Sequence, residues 1–247
     1  MQREDKGYTK IASYNVKCMV YGSQWEEIKA VVKEIDPDII GFQEIDYKAE
    51  RSNFEDQMKR LSEELGYPYW HFCCSLKRGE RGYGHGVLSR YPIKESEAVN
   101  YEVCGARDSD GNRTYSRHVI DFNGRTLCFY NTHLTLGTDD EVGAEMKQVL
   151  AAMAKDEYAV LTGDMNKSPS QLLPYVDTKR FTMLNGGDTC ACEINTFPQG
   201  NEPTRPIDNI IVSKSLCHFW DEATDAGIIV HHADCSDHNL IYTYIMF

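Results

Sequence analysis

Five polar clusters in this 247-residue chain stand where an apolar run begins or stops. Asn15 follows Ile11-Ala12, Glu44 follows Ile39-Ile40, and Asp164 and Asn166 follow Ala159-Val160-Leu161. Asp208 precedes Ile210-Ile211-Val212, and Asp237-His238 precede the strand-like run Leu240–Tyr244. Carboxylates and amides gathered at strand ends suit a divalent cation and a phosphate ester. Hard cations such as Mg²⁺ take one or two carboxylate oxygens and complete their shell with water. Glu44 is the candidate for that role, although a cap or surface position is the commoner fate of a single glutamate.

The other clusters supply proton chemistry and positioning. In extended chain, Asp164 and Asn166 point the same way and could reach one phosphate or one water. The same spacing also fits an Asx turn before the helix start at Ser168-Pro169. Asn15 could orient Glu44 or touch the metal, and Asp237 could add a second carboxylate. An imidazole at a phosphoryl centre works best when a carboxylate fixes its tautomer and raises its basicity. Asp208 and His238 can pair in that way if their strands are neighbours. His133, closing the run Asn131-Thr132-His133, could donate to a phosphate oxygen. The loop Arg78–Arg81 with Tyr83 and His85 carries positive charge between glycines. It reads either as a substrate-phosphate contact or as a solvated loop. Arg117, inside a strand pattern, calls for a phosphate or a carboxylate partner.

The elements that must position these residues alternate between strand and helix. Strand patterns cover Lys10–Val16, Asp38–Phe42, Tyr69–Cys74, Gly86–Ser89, Ala159–Thr162, Ile207–Val212, Gly227–Val230 and Asn239–Ile245. Tyr115–Phe122 and Arg125–His133 flank Asn123-Gly124, a strong hairpin signal. Helical periodicity covers Trp25–Ile35, Phe54–Leu65 and Glu141–Ala154, with a short helix over Ser168–Tyr175. Gly66 and Pro37 end the first two patterns that reach them. Hairpins mixed with helices predict a single α/β domain over 1–247, with two mainly antiparallel sheets packed face to face and helices outside.

Composition bounds the partners. Lys+Arg 26 against Asp+Glu 38 gives a net charge of -12, which disfavours a broad electrostatic grip on nucleic acid without excluding it. Nine cysteines show no zinc spacing, so reduced and mostly buried thiols are expected. No leader pattern opens the chain and no run reaches transmembrane length, so a cytoplasmic monomer is expected; removal of a leader would leave secretion open.

Taken in order, Ser13-Tyr14-Asn15-Val16, Phe42-Gln43-Glu44, Gly84–Ile93, Asn131–Leu134, Thr162–Asn166, Pro206–Ser213 and Ser236–His238 resemble the endonuclease/exonuclease/phosphatase superfamily. The resemblance spans nearly the whole chain and implies a four-layer α/β sandwich, with the site at one edge of the paired sheets, and a Mg²⁺- or Mn²⁺-dependent phosphoesterase. It places metal on Glu44, with Asn15 and Asp237 in or beside the shell. It gives Asp164 and Asn166 the attacking water and a phosphate oxygen, His133 a phosphate contact, and His238, oriented by Asp208, the role of base or charged donor. Tyr83, His85 and Arg117 remain substrate-binding candidates. Glu145 stands where many relatives carry Arg, which puts one contact in doubt. The loop-rich stretch Asp188–Thr204, with Cys190, Cys192 and Thr196-Phe197-Pro198, is expected to form a rim that shapes specificity. The acidic balance favours a small or lipid-derived phosphoester. A nuclease is the alternative, and an inactive partner-binding domain a more distant one.

Overall fold

A computed structural model describes residues 7–19, 22–103, 113–186 and 193–247; Cys190 and Cys192 lie outside them. In chain order the strands are β1 (Thr9–Asn15), β2 (Ile39–Tyr47), β3 (Tyr69–Arg78), β4 (Arg81–Ser89), β5 (Ile93–Asn100), β6 (Thr114–Phe122) and β7 (Arg125–His133). They continue as β8 (Ala159–Asp164), β9 (Phe181–Met183), β10 (Asp208–Ser213), β11 (Cys217–His218), β12 (Ile229–His231) and β13 (Leu240–Met246). The α-helices are α1 (Gly22–Ile35), α2 (Gln57–Leu65), α3 (Asp139–Met153) and α4 (Pro169–Leu172).

One sheet runs β11-β13-β1-β2-β4-β3, with β12 also on β13; the other runs β5-β6-β7-β8-β10-β9. Pairing is antiparallel except for β1–β2 and β7–β8. Those two parallel pairs each need a crossover, supplied by α1 and α3. Strands in a parallel pair end at the same edge. Asn15 and Glu44 therefore gather at one end of the first sheet, and His133 and Asp164 at one end of the second. β10 and β13, antiparallel to β8 and β1, start at that same edge.

Three apolar clusters make the layers. Ile11, Ile39 and Val87 of one sheet meet Phe129, Val160 and Ile210 of the other. Ile28, Val32, Met58 and Leu61 of α1 and α2 cover the first sheet, while Val142, Met146, Val149 and Met153 of α3 cover the second. Burial removes apolar surface from water at about 25 cal/mol per Å², so the two sheets are held on both faces. The four-layer expectation holds.

A polar staple also joins the sheets. Gln43 Nε2 donates to Asn131 Oδ1 (2.8 Å), and Asn131 Nδ2 donates to the carbonyls of Phe42 (2.9 Å) and Gly86 (3.1 Å). Gly41 permits this approach: a Cβ there would lie 2.4 Å from Thr162 Oγ1 and 2.7 Å from Asn131 Oδ1.

The boundaries differ from expectation in two informative places. Asp56 caps α2 by accepting from the Lys59 N–H, so the helix starts after Phe54, which is 59% exposed rather than on the inner face. β5, which no strand pattern announced, is an edge strand of mostly exposed polar residues, with Ile93 and Val99 packed against the core. The described cysteines are all free, four of them buried (Cys18, Cys73, Cys128 and Cys235) and two exposed (Cys74 and Cys217). Among the described residues no helix is long and apolar enough to cross a membrane.

Candidate active site

The shared sheet edge brings eight of the expected residues together. His133, Asp164 and Asp208 are register partners on β7, β8 and β10, one beside the next. Directly opposed residues on neighbouring strands share a face, so all three side chains emerge on the same side. Gly163 lets β7 and β8 close up there, since a Cβ would meet the Thr132 carbonyl at 2.4 Å. From the other sheet, Asn15 ends β1 and His238 stands two residues before β13.

Asp164 is the hub. Its Oδ2 accepts from Asn15 Nδ2 (3.0 Å) and lies 3.4 Å from His133 Nε2 and 3.5 Å from His238 Nε2. Its Oδ1 accepts the Asn166 N–H (2.9 Å). That bond is the Asx turn allowed by the sequence. Asn166 is consequently left-handed (φ 52°), not extended, and its Nδ2 donates to the Leu134 carbonyl (2.8 Å). The second amide bond of Asn15 goes to Glu44 Oε1 (3.1 Å), so one side chain ties the two carboxylates together.

Glu44 owes its direction to a β-bulge. Gln43 pairs with His85 and Ile45 with Gly84, leaving Glu44 unpaired at φ 57°. An extra residue of this kind bends the strand and re-aims its side chain, here out of the ladder and toward the edge. Periodicity in the sequence carries no sign of it.

His238 Nδ1 lies 2.8 Å from Asp208 Oδ2, as expected of a carboxylate that fixes an imidazole. Burial alone would push His238 down, but the combined pull of Asp208 and Asp164 raises it to about 10. It is therefore a cation at neutral pH, with Nδ1–H on Asp208 and Nε2–H facing Asp164. Burial raises Asp164 to about 6, against the pull of His238. Burial, helped by Arg113, His238 and His85, drives His133 well below the usual histidine range, so that ring is neutral.

Asp237 Oδ2 pairs with Lys17 Nζ at 3.0 Å, while its Oδ1 is buried without a hydrogen-bond partner. Lys17 also donates its N–H to Asn15 Oδ1 (3.1 Å), and Asn15 in turn holds Glu44; an orphaned carboxylate oxygen, a second carboxylate and an amide are the donor types that fit a hard divalent cation. Asp164, Asp208 and His238 also place one ligand atom each within 4.8 Å of one another. In that group the short His238–Asp208 bond already occupies Nδ1, which suits it to proton chemistry.

Three candidates sit differently. Arg117 opposes Tyr130, an odd number of residues from His133, so it lies on the other face of the sheet. There Nε and Nη2 bind Asp156 at 2.9 and 2.7 Å, which is the carboxylate alternative. His85 is walled in between the sheets, 3.1 Å from Ser116 Oγ, and reaches no surface. Tyr83 lines a cavity of about 680 Å³ beside Glu44, together with Arg51, Arg78 and Arg81. A second cavity of about 460 Å³ opens on the other flank, between Asn166, Lys167 and Arg205. Glu145 is structural: its Oε2 accepts the Thr135 N–H at 2.8 Å.

Two neighbours of the site carried no signal in the sequence beyond their place in a loop-rich stretch. Thr196 is fully buried against Asp208, and the Phe197 ring lies 4.9 Å from that of His238.

Fold and edge together define an α/β two-sheet sandwich of the phosphoesterase type, its polar site built from strand ends. The chain belongs to the Endonuclease/Exonuclease/phosphatase family, whose model matches residues 12–238. Among solved structures it is similar to an endonuclease/exonuclease/phosphatase from Beutenbergia cavernae (TM-score 0.72, 20% identity, 97% of this chain and 72% of that one). It is also similar to a mannosyl-6-phosphatase from Bacteroides thetaiotaomicron (TM-score 0.70, 20% identity, 97% and 100%). A third is a beta toxin variant from Staphylococcus aureus with bound magnesium ions (TM-score 0.68, 19% identity, 96% and 99%). No curated protein sequence gives a significant match.

Proposed function

We propose that this chain is a divalent-metal-dependent hydrolase acting on a phosphoester of a small or lipid-derived molecule. The observation that carries the reading is the convergence on Asp164 Oδ2 of Asn15, His133 and His238, all within 3.5 Å. Glu44, Asn15 and Asp237 would hold Mg²⁺ or Mn²⁺. The cation, when bound, supplies Lewis-acid polarisation of the phosphoryl oxygen and charge for the leaving oxygen.

The chain's own groups do the rest. Asp164, backed by Asn166, positions the attacking water and takes its proton. His238, drawn toward its protonated form by Asp208 and Asp164, suits a donor better than a base. It instead donates from Nε2 to a phosphoryl oxygen as negative charge develops, and Asp208 keeps the ring oriented. His133, neutral, adds a second donor from the same register row. Fixed donors of this kind typically contribute ~10²–10³ in rate each. No covalent nucleophile is needed.

A small substrate is supported by the two flanking cavities, which lie in the range of about 300–1,000 Å³ usual for small-ligand pockets. The net charge of -12 supports it too. Two structural neighbours, a mannosyl-6-phosphatase and a sphingomyelinase C from Streptomyces griseocarneus, are compatible with it. The nuclease reading draws on Arg51, Arg78 and Arg81 along the larger cavity.

The test is hydrolysis of p-nitrophenyl phosphate and bis-p-nitrophenyl phosphate beside nicking of supercoiled plasmid, with Mg²⁺ and with Mn²⁺. His238→Ala serves as the control for contaminants. Small-ester cleavage with intact plasmid is expected. Plasmid nicking lost in the variant would move the assignment to a nuclease, and no turnover of any ester would sink it.

A further inference from the structure

We propose that Thr196 is a positioning residue for the Asp208–His238 pair, a role that rests on the hydrolase reading above. The Thr196 Oγ1–H donates to Asp208 Oδ2 at 2.6 Å, the same oxygen that accepts His238 Nδ1–H at 2.8 Å. In return Oγ1 accepts the Asp208 backbone N–H at 3.2 Å. A hydroxyl has one proton to give. The Arg205 carbonyl, at 3.5 Å, is the poorer acceptor, so the proton goes to the carboxylate.

This pair of hydrogen bonds ties the Asp208 carboxylate to its own backbone through one hydroxyl. A carboxylate turns freely about its last torsion unless something holds it. Here the backbone of Asp208 sets the hydroxyl and the hydroxyl sets the carboxylate. Thr196 is itself anchored from two other sides. Its N–H donates to the Arg205 carbonyl (2.9 Å), and its carbonyl accepts the N–H of Asn239, the residue after His238 (2.9 Å). The next side chain, Phe197, packs its ring 4.9 Å from the imidazole and has the Arg205 guanidinium 5.5 Å from its centre. One short segment thus fixes the carboxylate, the backbone beside the imidazole, and the imidazole plane. It belongs to the stretch expected to form a specificity rim, yet Thr196 is fully buried and reaches no substrate.

The geometry assigns Thr196 to turnover and not to substrate binding. Partners one bond removed from the reacting groups typically change activity about 10–100-fold when deleted. Steady-state kinetics on bis-p-nitrophenyl phosphate with saturating Mg²⁺ would compare wild type, Thr196→Val, Thr196→Ser and the pairs of each with Asp208→Asn. Thr196→Val should lower kcat about 10–100-fold with KM within twofold, and Thr196→Ser should restore kcat to within about threefold. In the Asp208→Asn background Thr196→Val should add almost nothing, since the two residues act as one unit.

A folded Thr196→Val enzyme with kcat within twofold of wild type overturns the proposal, as does full additivity with Asp208→Asn. Should the valine variant not fold, Thr196→Ser decides: it keeps the hydroxyl, and a folded serine enzyme more than tenfold slower overturns the role. A wild-type protein inactive on every ester sinks the hydrolase reading and this role with it; an active wild type indifferent to Thr196 sinks the role alone.

Discussion

Asp164 and Asp208 are register partners across β8 and β10, both essentially buried, and His238 spans them, with Nδ1 2.8 Å from Asp208 and Nε2 3.5 Å from Asp164. Two carboxylates side by side out of water repel each other and lose hydration. A protonated imidazole between them answers both costs. The relationship accounts for the raised position of His238 and underlies the proposal that Asp164 accepts the water's proton.

Removing either half of that arrangement should stop turnover without unfolding the protein. His238→Ala and Asp208→Asn are each expected to lower kcat about 10²–10³-fold on bis-p-nitrophenyl phosphate, the range for a fixed donor to developing charge. Variants that stay folded by circular dichroism and keep wild-type kcat would remove His238 and Asp208 from the chemistry.

Asn15 bridges Glu44 and Asp164 with the two hydrogens of one amide. Asn15→Ala should raise the Mg²⁺ concentration for half-maximal activity about 10–100-fold, because the carboxylate beside the cation loses its orienting partner. EDTA should abolish turnover and added Mg²⁺ or Mn²⁺ restore it. An unchanged Mg²⁺ titration in Asn15→Ala would take Asn15 out of the cation's surroundings.

Arg117 should matter to stability and not to catalysis. Arg117→Ala strips two charge-assisted bonds from the largely buried Asp156 and leaves that carboxylate with Tyr130. The expected loss is about 1–3 kcal/mol in urea unfolding, with kcat and KM unchanged within twofold. A selective rise in KM at constant stability would restore Arg117 to the substrate contacts.

Acid should destabilise the fold through histidines buried between the sheets. Burial, with neighbouring histidines, pushes His85 and His118 down to about 3. Neutral His118 donates from Nδ1 to the Phe129 carbonyl and presents Nε2 to His71 Nδ1 at 3.1 Å. Below about pH 6.5 the unfolded chain binds protons that the folded rings refuse, so stability present above that pH is lost as pH falls toward 3, by about 1.4 kcal/mol per pH unit per ring. Urea unfolding at pH 7 and pH 5 should therefore show a shallower loss in His118→Gln than in wild type. The site's other titrations are common to both proteins and cancel in the difference. Parallel pH dependences would show that His118 protonates freely in the folded state.

Most of the site was legible in the chain because strand ends are local events. A run such as Ala159–Leu161 followed by Gly163, Asp164 and Asn166 announces both the strand and the group it delivers. The Asp208–His238 pair was legible as a condition, that two strands be neighbours. The helix start at Gln57 and the edge strand β5 were not legible. A single capping bond at Asp56 outweighed the apolar period through Phe54, and an edge strand whose stretch Lys94–Glu97 is polar on both faces has no period to show.

By itself the sequence determined which residue types stand at the ends of which strands, and hence the chemistry on offer. It determined the layered α/β class as well, since hydrophobic period is a property of the chain read locally. Only the tertiary structure decided which of those residues meet. The parallel pairing of β1 with β2 and of β7 with β8 turned separate strand ends into one edge. A bulge turned Glu44 out of its ladder, strand parity sent Arg117 to the opposite face, and chain folding over long separation set Thr196 on Asp208. Contacts of that kind depend on register and on side-chain parity across sheets, and a single residue's shift in pairing would reverse them.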